Sequence, residues 1–275
     1  MWKALVLISI LWVSQVALAS DQIREQRFAA EVEKQLLIGK GVTLKAGDLD
    51  FYAIHTEVMS PVLKGAVILL HDREAHPNWP DVIRPLRSGL ADRGWETLSL
   101  QMPLAGVDSD WRMYEQVIPE GSPRITAAVE FLKQRKIKNI VLLGHSLGGR
   151  MAVHYLADAK PPKEIRALVL IGMALEPEGS AVKTGEALAK VELPVFDLYG
   201  SRDLDSVLHT AKRRVAAGRM AKNAGYRQVQ MTGADHFFHR LERALVARVY
   251  AWIGKAADPA KIPPTEEEEK PPPRR

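Results

Sequence analysis

The sequence predicts an α/β fold: a three-layer α/β/α sandwich whose central sheet is mostly parallel and roughly eight-stranded. Three observations carry this. Continuous runs of branched apolar residues, GAVILLH at 65–71 and NIVLL at 139–143 among them, read as strands buried on both faces. Between such runs lie segments of roughly ten to fifteen residues with apolar side chains at helical spacing. The two kinds of segment alternate along most of the chain, the pattern of right-handed crossover units. Sheets built this way bind ligands beyond the carboxyl ends of their strands, so residues just after each strand are the ones to inspect.

The length of 275 residues suits one domain with additional ends, and 47% hydrophobic with 26% charged residues is ordinary for a water-soluble globular chain. Residues 1–19 stand apart: Lys3 precedes the apolar stretch Ala4–Val13, and Ala17-Leu18-Ala19 offers small residues where a signal peptidase reads. The expectation is a secretory signal cut before Ser20 and a periplasmic or secreted protein. The apolar stretch is shorter than the roughly 20 residues that span a bilayer. With no cysteine in the chain, there is neither a lipidated cysteine nor a disulfide, and stability must come from the core. A formal charge of +5, mild and dispersed, argues against a nucleic-acid partner. The basic cluster Lys212, Arg213, Arg214, Arg219 and Lys222 reads as a solvated helix face, with weak contact to anionic envelope material as the alternative. Residues 258–275, rich in proline with a run of four glutamates, read as a disordered tail. The folded domain is therefore expected over 20–257.

In order, Asp21–Lys40 reads as an amphipathic helix with Phe28, Val32 and Leu36 on one face. Val42–Lys45 and Phe51–Glu57 flank Gly47-Asp48 as two strands of a hairpin. After the strand at 65–71, Trp79–Arg93 reads as a helix in which Pro85 implies a kink or a later start. Trp95–Leu100 is a strand; Ser122 and Pro123 open a helix that buries Ile125, Ala128, Val129 and Leu132. The strand at 139–143 leads into a helix over Arg150–Ala159, followed by a strand at Ala167–Ile171 and a short helix near Ala181–Lys190. Then come a strand at Val195–Tyr199, a helix at Asp205–Lys222 with Leu208, Ala211 and Val215 inward, and a strand at Tyr226–Met231. A last helix carries Leu241, Leu245, Val249 and Ile253.

The chemistry concentrates at GHSLGG, residues 144–149. A serine on a sharp strand-to-helix turn has its hydroxyl pushed out above the sheet, and the flanking glycines let strand and helix pass closely. A hydroxyl needs a general base, and that base needs an orienting acid. Gly200-Ser201-Arg202-Asp203 follows one late strand and Gly233-Ala234-Asp235-His236 the next. Asp205 and His239 are the alternative acid and base, but each falls at the start of a helix, Asp205 reading as a cap.

On GHSLGG, the G-x-x-D and the G-x-x-H in that order, the chain from about Val42 to Lys255 resembles the α/β-hydrolase superfamily. The segment His76–Pro103 is similar, more narrowly, to secreted bacterial α/β-hydrolase-like proteins classed as a domain of unknown function. The resemblance implies Ser146 as nucleophile, His236 as base and Asp203 as its orienting acid, acting on an ester, thioester or similar acyl bond of a small molecule without a cofactor. It implies an oxyanion site made by the backbone N–H groups of Leu147 and Arg73. Where many relatives have glycine after the histidine, this chain has His71-Asp72-Arg73. A carboxylate pointing at the oxyanion would oppose catalysis, so Asp72 is expected to face its own loop backbone. The alternative is a noncatalytic protein of the same fold that binds an envelope component.

Between Leu100 and Ser122 runs a connection with little regular pattern, too apolar for a free linker. Met102, Trp111 and Tyr114 in it are the expected pocket wall. Residues 172–192, where many hydrolases insert a lid, are too few for a large cap. The histidines show no metal-ligand spacing.

Overall fold

The structure, a computed structural model, describes residues 19–158 and 161–258; the expected signal sequence and tail lie outside the described residues, save for Ala19 and Asp258. Eight strands form one sheet: β1 (Lys40–Ala46), β2 (Leu49–Thr56), β3 (Gly65–Leu70), β4 (Trp95–Leu100), β5 (Ile140–His145), β6 (Ile165–Ile171), β7 (Val195–Arg202) and β8 (Tyr226–Asp235). Their spatial order is β1-β2-β4-β3-β5-β6-β7-β8. The hairpin β1–β2 pairs antiparallel, β2 lies antiparallel to β4, and every other pairing is parallel.

The continuous apolar runs are explained by burial on both sides. Along β3, Ala66, Ile68 and Leu70 enter one apolar layer while Val67 and Leu69 enter the other. The first layer is closed by α4 (Gly121–Gln134) and α5 (Leu147–Asp158), through Ile125, Val129, Met151 and Tyr155. The second is closed by α2 (Ile83–Ala91) and α8 (Glu242–Ala256), through Leu86, Leu90, Leu245 and Val249. Each such side chain contributes roughly 1.5–3 kcal/mol by leaving water, so the layers hold the sheet without cross-links.

Several expectations need correction. The first helix, α1 (Gln22–Gln35), is shorter than read and buries Arg24 and Glu25 beside Val32, while Phe28 is only half-buried. Glu25 accepts the backbone N–H of Leu104 and pairs with the Arg124 guanidinium at 2.8 Å, inside the protein. The helix read over Trp79–Arg93 takes the later start that Pro85 implied, at Ile83, which leaves Pro85 in its first turn where no N–H is missed. The irregular connection contains α3 (Trp111–Gln116) and a 3₁₀ turn at Ile118–Glu120 that runs into α4, so Ser122 is helical and caps nothing. The short helix expected near Ala181–Lys190 is present as α6 (Thr184–Leu188). In α7 (Asp205–Met220) the inward residues are Val207, Ala211, Arg214 and Ala217, one position off the apolar count. Arg214 is buried and paired with Asp197 at 2.8 Å, so the basic cluster is not wholly a solvated face. Asp205 is that helix's first residue rather than its cap.

Candidate active site

The strand β5 ends at His145, and the next residue, Ser146, takes φ of +50° before α5 begins. That conformation is strained for a residue with a Cβ and is held by what surrounds it. The Ser146 N–H donates to Ile171 at 2.8 Å, and its carbonyl accepts from Gly149 at 3.0 Å. The glycines are required sterically: a Cβ on Gly144 would overlap the backbone of Gly148 and Gly149, and one on Gly148 would overlap the carbonyl oxygens of Leu70 and His71. The start of α5 is thereby pressed against the end of β3.

Past β7, the Asp203 side chain folds back on its own loop, accepting N–H groups from Gly200 at 3.1 Å and Leu204 at 2.9 Å. Past β8, His236 Nδ1 lies 2.6 Å from Asp203 Oδ1, with both side chains buried. The alternatives for base and acid separate from this pair: His239 is exposed and bonded to Asp235 at 2.8 Å, and Asp205 faces solvent. His145 Nε2 donates to the His236 carbonyl at 3.1 Å, and the two rings lie 4.8 Å apart. Burial lowers the His145 pKa to about 4, so this neighbour is neutral.

The loop after β3 is pinned by His71. Its Nδ1 donates to the Asp72 carbonyl at 2.7 Å, which leaves Nε2 free to accept the N–H of Met102 at 2.9 Å. Burial holds the ring neutral, with its pKa lowered to about 3. The Asp72 side chain does accept from its own loop, at the N–H of Arg73 at 2.7 Å. The expectation that it faces only that loop is corrected, because the same Oδ1 also accepts the N–H of Leu147 at 3.1 Å. Both predicted oxyanion donors therefore converge on one point, and the Asp72 carboxylate occupies it. Its other oxygen lies 3.5 Å from His236 Nε2, an ion-pair distance, and Nε2 has no hydrogen-bond partner. Burial opposes charge on both groups but is outweighed: the two carboxylates raise His236 to about 9, and His236, then the His145 ring and the Leu147 N–H, lower Asp72 to about 2.

A cleft of about 420 Å³ opens beside Ser146 and Leu147, walled by Trp111, Tyr114, Leu175 and Leu204. Trp111 and Tyr114, two of the three residues expected to wall a pocket, border this cleft. Met102 does not: it is 1% exposed and packs in the apolar layer beneath α4. The Tyr114 hydroxyl and Arg24 both bond the Glu74 carboxylate, tying α1 to the pocket wall. Arg150, also lining the cleft, is neutralised by Glu115 at 2.8 Å. One residue was missed by sequence reading. Gly172, φ +55°, passes so close to the acid–base pair that a Cβ would lie 3.0 Å from His236 Nδ1 and 3.4 Å from Asp203 Oδ2. Its signal was present, as a glycine ending a strand next to the elbow. Among the described residues no group of three or more His, Asp or Glu side chains could hold a metal ion.

The strand order, the elbow and the strand-end loops define the α/β-hydrolase fold. Within it, the chain belongs to the family described as "Protein of unknown function (DUF3530)", whose model matches residues 4–113 and 107–255. Solved structures share the fold at low identity. Est1E from Butyrivibrio proteoclasticus, solved with ferulic acid bound, is 18% identical with a TM-score of 0.64, over 78% of this chain and 98% of that one. A dienelactone hydrolase from Anabaena variabilis is 20% identical with a TM-score of 0.63, over 80% and 98%. An esterase from Pyrococcus furiosus is 18% identical with a TM-score of 0.61, over 82% and 94%. A search of the curated proteins finds no match to the chain.

Proposed function

We propose that the protein is a serine hydrolase that cleaves an ester, thioester or related acyl bond of a small molecule through Ser146, His236 and Asp203. The observation that carries this reading is the buried His236–Asp203 pair, 2.6 Å apart, with the His236 ring 4.8 Å from that of His145, the residue before the serine of the strained elbow. In the proposed cycle Ser146 Oγ attacks the acyl carbon while His236 Nε2 takes the hydroxyl proton. Asp203 fixes the imidazole with its proton on Nδ1 and stabilises the imidazolium. The carbonyl oxygen gathers negative charge and is received by the N–H groups of Leu147 and Arg73, the first at the start of α5 where the helix dipole adds to the attraction. His236 then returns the proton to the leaving group, and a water molecule ends the acyl-enzyme by the same route. Structural neighbours named as esterases and a dienelactone hydrolase support an acyl substrate.

Export is part of the proposal, with cleavage before Ser20. Glu120 Oε1 accepts the N–H groups of Ala19 at 2.6 Å and Ser20 at 3.3 Å, so cleavage would leave this carboxylate beside the new Ser20 ammonium group.

The second reading, a noncatalytic binder, is favoured by one observation, the carboxylate on the oxyanion donors. A fluorophosphonate probe separates the two. Hydrolase chemistry predicts labelling of the folded wild type that is lost in Ser146→Ala, with ester cleavage falling at least about 10³-fold. A folded wild type and a folded Asp72→Gly variant that both stay unlabelled at every pH from 6 to 10 would refute the hydrolase.

A further inference from the structure

We propose that Asp72 is a built-in occupant of the oxyanion site, holding the enzyme in a closed resting state that substrate must displace. The inference rests on the hydrolase reading above and concerns what that site does before substrate arrives.

The geometry is that of a bound anion. One carboxylate oxygen takes both backbone donors, at 2.7 and 3.1 Å, and the other stands 3.5 Å from His236 Nε2. A tetrahedral intermediate needs those same two N–H groups for its oxygen and that same nitrogen for the serine proton. One side chain therefore blocks two functions together. It also changes the state of the base. His236 is faced by Asp203 and Asp72 as the charged groups, by the neutral ring of His145 and the edge of Phe237, and by the bare backbone of Gly172. Asp72 in turn faces His236, the His145 ring, and the N–H groups of Arg73 and Leu147, while the neutral His71 binds its backbone carbonyl. Between two carboxylates His236 keeps its second proton at neutral pH, and a protonated imidazole takes none from Ser146.

Opening requires no refolding. Asp72 borders the 420 Å³ cleft, so rotation of its side chain moves the carboxylate into solvent. His71 holds the Asp72 carbonyl, and with it the loop that aims the Arg73 N–H. As the carboxylate leaves, the second proton on His236 passes to water. Nε2 becomes an acceptor for the Ser146 hydroxyl, and the vacated donors receive the substrate carbonyl.

The test compares wild type, Asp72→Gly and Asp72→Asn, each as the full chain. One measurement is the rate of fluorophosphonate labelling at Ser146 at pH 7 and pH 9.5; the other is the NMR titration of the His236 ring nitrogens. The closed state predicts that Asp72→Gly labels at least about tenfold faster than wild type at pH 7, with the gap narrowing at pH 9.5 as His236 loses its proton in both. It predicts that Asp72→Asn, which keeps the shape and removes the charge, lowers the His236 midpoint by a unit or more from about 9. If Asp72→Gly does not fold, the Asn variant decides through its midpoint and its labelling. An Asp72→Gly variant that labels no faster than wild type, or an Asp72→Asn variant whose His236 midpoint does not fall, overturns the closed state and leaves the hydrolase standing. No labelling in any variant, whatever His236 does, overturns both.

Discussion

At the scale of single residues, Gly172 shows how little space surrounds the proposed acid–base pair. A methyl group there would sit 3.0 Å from His236 Nδ1, on a backbone whose φ of +55° already disfavours any Cβ. Gly172→Ala is expected to tilt the imidazole off Asp203 and to lower kcat by about 10- to 100-fold while KM for a small ester moves little, because misplacement of even 1 Å costs that much. Steady-state kinetics beside a circular dichroism spectrum check this: an unchanged kcat in a folded variant refutes it. The strand-end positions of Ser146, Asp203 and His236 were legible because each follows a glycine-led turn after a segment read as a strand, although only β5 is a plain run of Ile, Val and Leu. The direction of Asp72 was not. Which donors an aspartate reaches depends on Leu147, 75 positions away in sequence, and no local pattern encodes that contact. Met102 misled for a similar reason, since an apolar residue in a loop can face a pocket or the core with equal local plausibility.

Among the elements, α1 departs furthest from what its sequence suggests. Its apolar spacing implies docking through Phe28, Val32 and Leu36, whereas Arg24 and Glu25 bind it to the protein, through Glu74, Ala105, Leu104 and Arg124. Charged side chains read as solvent-facing unless their partners are known, and these partners lie far along the chain. The same blindness displaced the inward face of α7, where Arg214 counts as polar in the sequence and as core in the fold. Because the Arg124 guanidinium is 1% exposed, removing its partner leaves a buried charge uncompensated. Glu25→Ala is therefore expected to lower the stability of folding by about 3–5 kcal/mol. Urea unfolding would measure it, and a loss below about 1 kcal/mol would show that α1 contributes only surface contact.

For the molecule as a whole, the sheet order places β3, β5 and β6 at the centre, each covered by helices on both sides, with the β1–β2 hairpin at one edge. Sheet layering was readable because residues buried on both faces leave no polar alternation in the sequence. Strand order was not readable, since a connection such as β2 to β3, which passes over the place β4 fills, leaves no trace in local composition. Stability should be graded accordingly. Native-state hydrogen exchange is expected to find the slowest amides in β3, β5 and β6, and faster ones in β1, at the sheet edge. Equal protection across the sheet would mean that it opens only as a unit.

The aspartate on the oxyanion donors also has a genetic consequence. Aspartate codons become glycine codons by one base change at the second position, so the closed protein and its unobstructed form are adjacent genotypes. Replacing the residue requires no rebuilding of β5, α5 or the His236 loop, which hold their own contacts. If Asp72 closes the proposed hydrolase site, one step opens it and the reverse step closes it again.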